Sequence, residues 1–388
     1  MRVGIVCGSC PPMPCGIGDY TAHLAEALSQ LGHEVTVVTS VGAQPPANGS
    51  WRVYPQVERW NWHALPTILG ILRDARVQVA SIQYPTQQYG RDPMVNALPA
   101  LIQARLGVPV TATIHEFSTF RLLGRLRLAL TARLSRAVIT TDGANQALLA
   151  RWTGRAASEL ALVPLASNLP CAPPEGYQRA ALRAHLGAGP TSVVLAYLGF
   201  ISPSKGLEDL LDAFASALAG APELDLRLWL LASREPAAPR YAAYHAEIEG
   251  RLERLKGRER VVWTGYLEPA QVSAHLLAAD VAVLPFRDGA SLRRGTLLAA
   301  LAHGLPVVST LGPGAAADGL GESQGLCLVP ARDGQALART VVGLARDGAL
   351  RRDLAGRAAA FGARFSWPAV AEQTLAILES TREATHGR

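Results

Sequence analysis

The sequence predicts an α/β protein made of two doubly wound domains in tandem. Short apolar, β-branched runs alternate with longer segments of helical period along the 388 residues. This alternation is typical of βαβ units around a parallel sheet. It is interrupted between residues 163 and 174, where four prolines indicate an interdomain linker, and then starts again. Each half is therefore predicted to be Rossmann-like, and we expect the two halves to face a central cleft.

The elements of the first half follow from this pattern in order. A strand is predicted at residues 3–8, followed by a loop rich in glycine, proline and cysteine. A helix then runs through Leu24, Leu28 and Leu31 and ends at Gly32, a residue type that suits the position after a helix. Further strands are predicted at residues 34–39, 77–83, 108–114 and 137–141.

The second half repeats the arrangement. Residues 193–199 form a predicted buried strand, which a loop connects to a helix at residues 207–218. Further strands are predicted at residues 225–231, 260–263, 281–285 and 306–309, and a last helix at residues 368–381. We expect domains at residues 1–168 and 169–364, with residues 365–388 packing back on the first domain.

Composition restricts the class of protein. Apolar residues make up 49% of the chain and charged residues 18%, which indicates a globular protein rather than a disordered one. The longest apolar run falls short of the ~18 residues of a membrane span, so we expect a cytoplasmic protein. The 37 basic and 31 acidic residues leave a net charge of +6, which does not indicate a nucleic-acid partner. Only two of the basic residues are lysines, Lys205 and Lys256.

Three of the five cysteines lie close together, Cys7 in the first predicted strand and Cys10 and Cys15 in the loop after it. An odd number of cysteines in a chain of this size argues against a disulfide framework. A metal or redox site would need a fourth thiolate or histidine at suitable spacing, and none follows nearby. We therefore favour small buried residues beside a tight loop over a metal centre, and expect no metal.

Two glycine-rich loops, one in each half, link a strand to a helix. Helix N-termini offer N–H groups to anions at such positions. The first loop contains Gly16, Gly18 and Asp19 but lacks the third glycine of a dinucleotide fingerprint, and no GxxxxGK[ST] loop occurs in the chain. The first loop thus disfavours a nicotinamide-dependent oxidoreductase, and a plain strand–helix turn is its alternative interpretation.

The second loop, residues 199–206, carries Lys205 immediately before a helix. The helix dipole disfavours a cation at that end unless an anion binds with it. In a chain with two lysines, this position favours a phosphate-binding lysine over a solvated surface lysine.

The sequence around this loop resembles a known family. The segment LGFISPSKGLEDLLDAF (residues 198–214) is similar to the donor-domain signature of GT-B glycosyltransferases of family 4. WTGYL (263–267), ADVAVLPF (279–286) and LLAALAHGLPVV (297–308) follow in the family's order. In the first half, Pro11-Pro12 with GIGDY (16–20), and TIHE (113–116), are similar to the family's N-terminal domain.

The resemblance implies a function and a site. Family members transfer a sugar from a nucleotide-diphosphate sugar to an acceptor, with retention at the anomeric carbon and without a metal or other cofactor. Lys205 would stabilise the departing diphosphate. His115 would face the transferred sugar, its alternative being an ordinary histidine at a strand end. The residues expected to bind the donor are Gly16, Gly18, Asp19, Gly199, Ser202, Gly206, Gly265, Ser291, Arg293, Arg294, Gly295 and Thr296.

The chain departs from the family pattern at three positions. Phe200 stands where the family usually has an arginine, and Ser291 and Ala299 stand where it usually has two glutamates that contact the sugar and the ribose. We hypothesise that Arg293 or Arg294, at a predicted helix start, replaces the missing arginine as a phosphate clamp. The alternative is that both arginines are solvated.

A basic stretch from Phe120 to Arg136 contains five arginines among leucines and no acidic residue. Such a stretch can lie on an anionic membrane surface, which an enzyme with a lipid-linked acceptor would need. Its alternative is a helix with one core face and one solvated face. Peripheral contact with the inner membrane face therefore stands beside a purely cytoplasmic location.

The main functional prediction is a hexosyltransferase-type glycosyltransferase with a glycan or lipid-linked acceptor. A catalytically weak nucleotide- or sugar-binding protein on the same scaffold is the alternative suggested by the three departures. A nucleotide-sugar epimerase is a further alternative. The residues alone leave open the donor base, the sugar, the acceptor and the oligomeric state.

Overall fold

The computed structural model describes residues 1–13, 15–44, 49–235 and 239–386, with side chains to residue 384. It divides the chain into two compact units, one made of residues 1–165 and 367–388 and the other of residues 166–366. The chain therefore leaves the first unit, forms the second, and returns to the first for its last helix. No helix among the described residues is long and apolar enough to cross a bilayer.

The first unit contains a seven-stranded parallel sheet in the order β3-β2-β1-β4-β5-β6-β7. Its strands are β1 (Arg2–Cys7), β2 (Glu34–Ser40), β3 (Arg52–Val57), β4 (Val79–Tyr84), β5 (Val110–Ile114), β6 (Ala137–Thr140) and β7 (Ala161–Leu162). Its helices are α1 (Gly16–Gln30), α2 (Leu65–Asp74), α3 (Met94–Leu106), α4 (Leu122–Leu134), α5 (Gly143–Thr153) and, after the second unit, α14 (Trp367–His386).

The second unit contains a six-stranded parallel sheet in the order β10-β9-β8-β11-β12-β13. Its strands are β8 (Val193–Leu198), β9 (Leu226–Leu231), β10 (Val261–Trp263), β11 (Val281–Leu284), β12 (Val307–Thr310) and β13 (Leu326–Val329). Its helices are α6 (Arg179–His185), α7 (Leu207–Gly220), α8 (Ala242–Glu253), α9 (Pro269–Ala278), α10 (Gly295–Ala302), α11 (Pro313–Ala317), α12 (Gly334–Arg346) and α13 (Gly348–Gly362).

Both sheets follow the 3-2-1-4-5-6 order of a Rossmann fold, and the first carries one more strand at its edge. The prediction of two tandem Rossmann-like domains is therefore confirmed. In this topology the strand order reverses between β1 and β4 in one sheet and between β8 and β11 in the other: successive strands are added outward on one side of this point and then on the other. Ligands of doubly wound proteins bind outside the carboxyl ends of the strands at such switch points.

Burial explains why these segments become strands. All six residues of β8 and of β4 are buried, as expected for central strands covered by helices on both faces. Each sheet has its own apolar core; Phe117 belongs to the first and Phe214 to the second. The last helix, α14, packs within the first unit, where the Trp367 ring lies 5.2 Å from the Tyr20 ring and 4.9 Å from the His23 ring.

Candidate functional site

A pocket of about 410 Å³ opens at the carboxyl edge of the second sheet. Residues that follow β8, β9 and β10 line it, together with the start of α10 and Asn168 and Leu169. Most of its lining atoms are apolar, while Lys205, Ser233 and Thr296 supply polar groups. A largely apolar cavity with a few directed polar groups is the usual form of a small-molecule site.

The loop after β8 is held in place by two glycines. Gly199 has a φ of +141° and Gly206 a φ of +64°, both in the region that favours glycine. A Cβ atom at Gly206 would lie 2.1 Å from the carbonyl oxygen of Pro285, so only glycine permits this approach to the end of β11. Ser202 and Ser204 contact each other through their hydroxyls at 3.4 Å. The two glycines thereby fix the position of Lys205 at the start of α7.

Lys205 is half-buried, and its Nζ atom lies 5.0 Å from the centre of the Phe286 ring. Burial is the main cause that lowers the pKa of this ammonium group to about 8, and the nearby Arg294 lowers it further, while Asp288 acts in the opposite direction. A lysine with such a pKa is poised near neutral pH and would hold its proton more tightly beside an anion.

The N-terminus of α10 brings Arg294 and Thr296 to the pocket region. Arg294 occupies the N-cap position in an extended conformation, and its guanidinium lies 4.7 Å from the Phe286 ring centre. Asp288 pairs with this guanidinium. The Thr296 hydroxyl oxygen is buried without a hydrogen-bond partner among the described residues. An orphaned hydroxyl beside two cations indicates a place for a polar ligand atom.

The other residues predicted from the second half are distributed around these groups. Gly265 and Gly295 line the pocket, whereas Ser291 is buried outside its lining and Arg293 is exposed. Ala299 is fully buried within α10. Phe200, at the position of the expected arginine, is 66% exposed at the pocket. The structure thus brings Arg294 toward Lys205 but leaves Arg293 at the surface.

The first unit holds the glycine pair at the start of α1. Gly16 begins the helix, and no atom would contact a Cβ placed there. A Cβ at Gly18 would lie 3.1 Å from the carbonyl group of Ser9, so this glycine permits α1 to approach the loop after β1. Asp19 lies in the first helical turn, where a carboxylate is favourable.

His115 follows β5 at the carboxyl edge of the first sheet. Its Nε2 atom lies 2.9 Å from Oε1 of the buried Gln83, and the Tyr20 ring contacts it edge-on at 4.6 Å. Burial lowers the pKa of His115 to about 3, so the imidazole is neutral at physiological pH. It can therefore exchange hydrogen bonds with a substrate hydroxyl but does not carry a charge there.

The loop that follows His115 is anchored by a side chain that the sequence pattern did not single out. Oδ1 of Asn145 accepts hydrogen bonds from the backbone N–H groups of Phe117 and Ser118, each at 3.0 Å. Asp142, the N-cap of α5, in turn holds Asn145. Phe286 and Gln83 were missed in the same way, because only the fold shows which side chains meet them.

The three cysteines of the first loop region are not arranged as ligands. Cys7 and Cys10 are buried thiols, and burial raises the pKa of each to about 12. Cys15 is half-buried and precedes α1. Within the described part of the chain, no group of three or more His, Cys, Asp or Glu side chains could hold a metal ion.

The basic stretch forms α4 and exposes an apolar stripe. Leu122, Leu123, Leu126 and Leu130 are 45–75% exposed, whereas the opposite face packs into the core through Leu128 and other residues. Several of the arginines bind the protein itself: Arg127 donates to Asn96 and to the Asp92 carbonyl, and Arg133 and Arg136 donate to backbone carbonyls. The exposed apolar stripe, rather than a row of solvated arginines, is the unusual feature of this helix.

Comparison with known proteins gives two family matches. The family model described as glycosyltransferase family 4 matches residues 14–168, and the one described as glycosyl transferases group 1 matches residues 192–347. A phosphatidyl-myo-inositol mannosyltransferase of Mycolicibacterium smegmatis is 25% identical over 99% of this chain and 95% of its own. A D-inositol 3-phosphate glycosyltransferase of Kineococcus radiotolerans is 30% identical over 62% of this chain and 56% of its own.

Solved structures share the fold. Anabaena HepE in complex with UDP superimposes with a TM-score of 0.74 at 17% identity, over 98% of this chain and all of that one. Sucrose-phosphate synthase from Thermosynechococcus elongatus superimposes with a TM-score of 0.69 at 20% identity, over 99% of this chain and all of that one.

Proposed function

Because the chain belongs to the family 4 glycosyltransferases of the GT-B fold, we propose that it uses a nucleoside-diphosphate sugar bound by its second unit. The observation that carries this proposal is Lys205, a half-buried lysine that lines an apolar pocket at the switch point of the sheet. The apolar walls suit a base and a sugar ring, and the ammonium group suits a diphosphate. A uridine nucleotide is the first donor to test, because HepE binds UDP.

Lys205 acts on the departing group in this proposal. The bond between the anomeric carbon and the diphosphate oxygen breaks, and its electron pair stays on the diphosphate. An acceptor hydroxyl oxygen bonds to the carbon, and the hydroxyl proton passes to the departing diphosphate. The ammonium group stabilises the added negative charge, which is larger in the transition state than in the bound donor. The diphosphate in turn raises the pKa of Lys205 from its value of about 8, so that the group is protonated at neutral pH.

His115 contributes a neutral hydrogen-bonding group in this proposal. Its imidazole is fixed by Gln83 and Tyr20 and keeps its charge state across the physiological range. We assign it to a hydroxyl of the transferred sugar rather than to proton transfer.

Retention of configuration and independence from metal ions also belong to the proposal. Lys205 and Arg294 are two cations close to one pocket, and side-chain cations can neutralise a diphosphate as a metal ion does. Turnover in the presence of a chelator, with NMR of the anomeric proton of the product, tests both points.

The acceptor is proposed to be a glycan or a lipid-linked molecule. The relatives named above act on phosphatidyl-myo-inositol and on inositol 3-phosphate, so both a lipid-linked and a soluble acceptor have precedents. The exposed leucines of α4, set among arginines with no acidic residue from 117 to 141, favour contact with an anionic lipid surface. Vesicle flotation tests this contact.

A catalytically weak binding protein is the second candidate. It is favoured by Phe200, Ser291 and Ala299, because neither Ser291 nor Ala299 places a carboxylate in the region where the family uses two. Both candidates bind a nucleotide, and only the first one produces a glycoside from a donor and an acceptor.

Thermal unfolding with UDP, GDP, ADP and their sugar conjugates tests the donor site. A ligand that binds only the folded state at a hundredfold excess over its Kd adds about 2.7 kcal/mol of stability. We expect one base to raise the melting temperature of the wild type and of Lys256→Ala, which removes the other, exposed lysine, but not that of Lys205→Ala. An equal shift in both lysine variants would contradict the role of Lys205, and no shift with any nucleotide would contradict the donor site.

A further inference from the structure

Two cations share one buried aromatic ring in the second unit. Phe286 is 1% exposed and follows β11, next to β8 in the sheet. The Lys205 ammonium lies 5.0 Å from its ring centre and the Arg294 guanidinium 4.7 Å from it. The negative face of an aromatic ring attracts a cation, so Phe286 favours both side chains in these positions.

Bringing two like charges together has an electrostatic cost. Arg294 lowers the pKa of Lys205, which is the sign of that repulsion. Asp288 offsets part of it by pairing with Arg294, but its side chain is 64% exposed, so water screens this pair. An anion bound between the two cations would offset the repulsion more fully.

The groups around the pair also suit an anion. The Thr296 hydroxyl is buried and has no hydrogen-bond partner among the described residues. A Cβ atom placed at Gly199 would lie 3.4 Å from the methyl group of Thr296, so the loop backbone passes near this residue. The N–H groups of the first turn of α10 lie at the same place, and their dipole favours negative charge. A diphosphate has two charged groups and several acceptor oxygens, which matches two cations and a hydroxyl donor.

We propose that Arg294 and Lys205 form a two-cation clamp for the donor diphosphate, in which Arg294 supplies the charge that Phe200 cannot, and that Asp288 holds Arg294 until the diphosphate displaces it. This inference rests on the proposed function for the identity of the ligand. It assigns Arg294 to the binding site and Arg293, its exposed neighbour, to the surface. Asp288 acts as a competitor of the ligand for the same guanidinium.

Calorimetric titration with UDP, UMP and pyrophosphate tests the clamp at constant ionic strength. Arg294→Gln is expected to weaken the binding of UDP and of pyrophosphate at least tenfold. It should weaken the binding of UMP less than threefold, because UMP lacks the second phosphate. Arg293→Gln, a matched change at the next residue, is expected to leave all three affinities within twofold. Asp288→Asn is expected to tighten UDP binding two- to fivefold, a gain that would not occur if Asp288 had only a structural role.

Each outcome decides a separate point. Equal effects of Arg293→Gln and Arg294→Gln on UDP, or no effect of either, would overturn the clamp. Weaker UDP binding by a folded Asp288→Asn would overturn the displacement of Asp288. If no nucleotide binds but pyrophosphate binds with the expected dependence on Arg294, the clamp stands and the proposed function fails. If Arg294→Gln does not fold, Arg294→Lys replaces it in the titration. The expected loss of UDP affinity is then smaller, because the ammonium group keeps the charge of the guanidinium but not its planar set of N–H donors.

Discussion

Burial changes the charge properties of Lys205 and His115 in the same direction but with different consequences. For Lys205 the pKa falls to about 8, so the residue is a cation over much of the physiological range and would hold its proton more tightly beside a bound anion. For His115 the pKa falls to about 3, so the residue is neutral throughout that range. The same physical effect therefore suits one residue to charge stabilisation and the other to neutral hydrogen bonding.

The neutral state of His115 predicts a pH dependence of stability. Its folded-state pKa of about 3 lies below the ordinary value of 6.5, so the unfolded chain binds more protons between these values and stability falls as the pH falls through that window. His115→Gln removes this contribution. From pH 7 to pH 4.5, we expect the unfolding free energy of the wild type to fall by about 2–3 kcal/mol more than that of the variant.

Urea unfolding of the wild type and the variant at the two pH values measures this difference. His63→Gln is the matched control, because it makes the same substitution at an exposed histidine. An identical fall in unfolding free energy between the two pH values for all three proteins would mean that His115 binds its proton in the folded state as readily as in the unfolded chain.

At the scale of elements, buried central strands were predictable, whereas three of the four edge strands were not; the exception is β10, which matches the strand predicted at residues 260–263. The predicted strand at residues 193–199 matches β8, and the one at 108–114 matches β5, with differences of one or two residues. The sequence analysis missed β3, β7 and β13. Residues Arg52–Val57 form a half-exposed edge strand interrupted by Pro55, and β7 has two residues. Such strands are defined by pairing with a neighbour rather than by their own apolar pattern.

Of the two glycines that hold the Lys205 loop, Gly206 gives an element-scale prediction. In Gly206→Ala the new Cβ would lie 2.1 Å from the carbonyl oxygen of Pro285 at a φ of +64°, so the loop must move. We expect a loss of at least about 2 kcal/mol in unfolding free energy and at least tenfold weaker nucleotide binding.

Gly356→Ala is the opposite control, because this glycine lies inside α13 and no atom would contact its Cβ. There alanine should stabilise the chain by about 0.5–1 kcal/mol and leave nucleotide binding unchanged. Wild-type stability and affinity in Gly206→Ala would mean that the loop tolerates a side chain, and the placement of Lys205 would need another cause.

At the scale of the whole molecule, the sequence predicted the repeated architecture but only part of the site. The rarity of lysine and the glycine-rich loop were enough to single out Lys205. Phe286 and Asp288 lie about eighty residues further along the chain and reach Lys205 only because β11 pairs with β8. Arg294 could not be distinguished from Arg293 without the geometry of the α10 start. A linear pattern shows which residue types are present, and the sheet order determines which of them meet.

The net charge of +6 leads to a last prediction, which separates global attraction to a membrane from a local contact through α4. A modest net charge spread over the chain would draw it weakly to any anionic surface, and salt would screen that attraction. Insertion of Leu123 and Leu126, which are 75% and 51% exposed, would add apolar burial of about 1.5–3 kcal/mol for each fully buried side chain. We therefore expect Leu123→Ser/Leu126→Ser to reduce flotation with anionic vesicles at least tenfold, although the net charge is unchanged.

Leu311→Ser/Leu350→Ser, which alters two exposed leucines of the second unit, should float like the wild type. Equal flotation of the two double variants would show that α4 makes no specific contact, and equal binding to neutral and anionic vesicles would exclude a role for the arginines beside it.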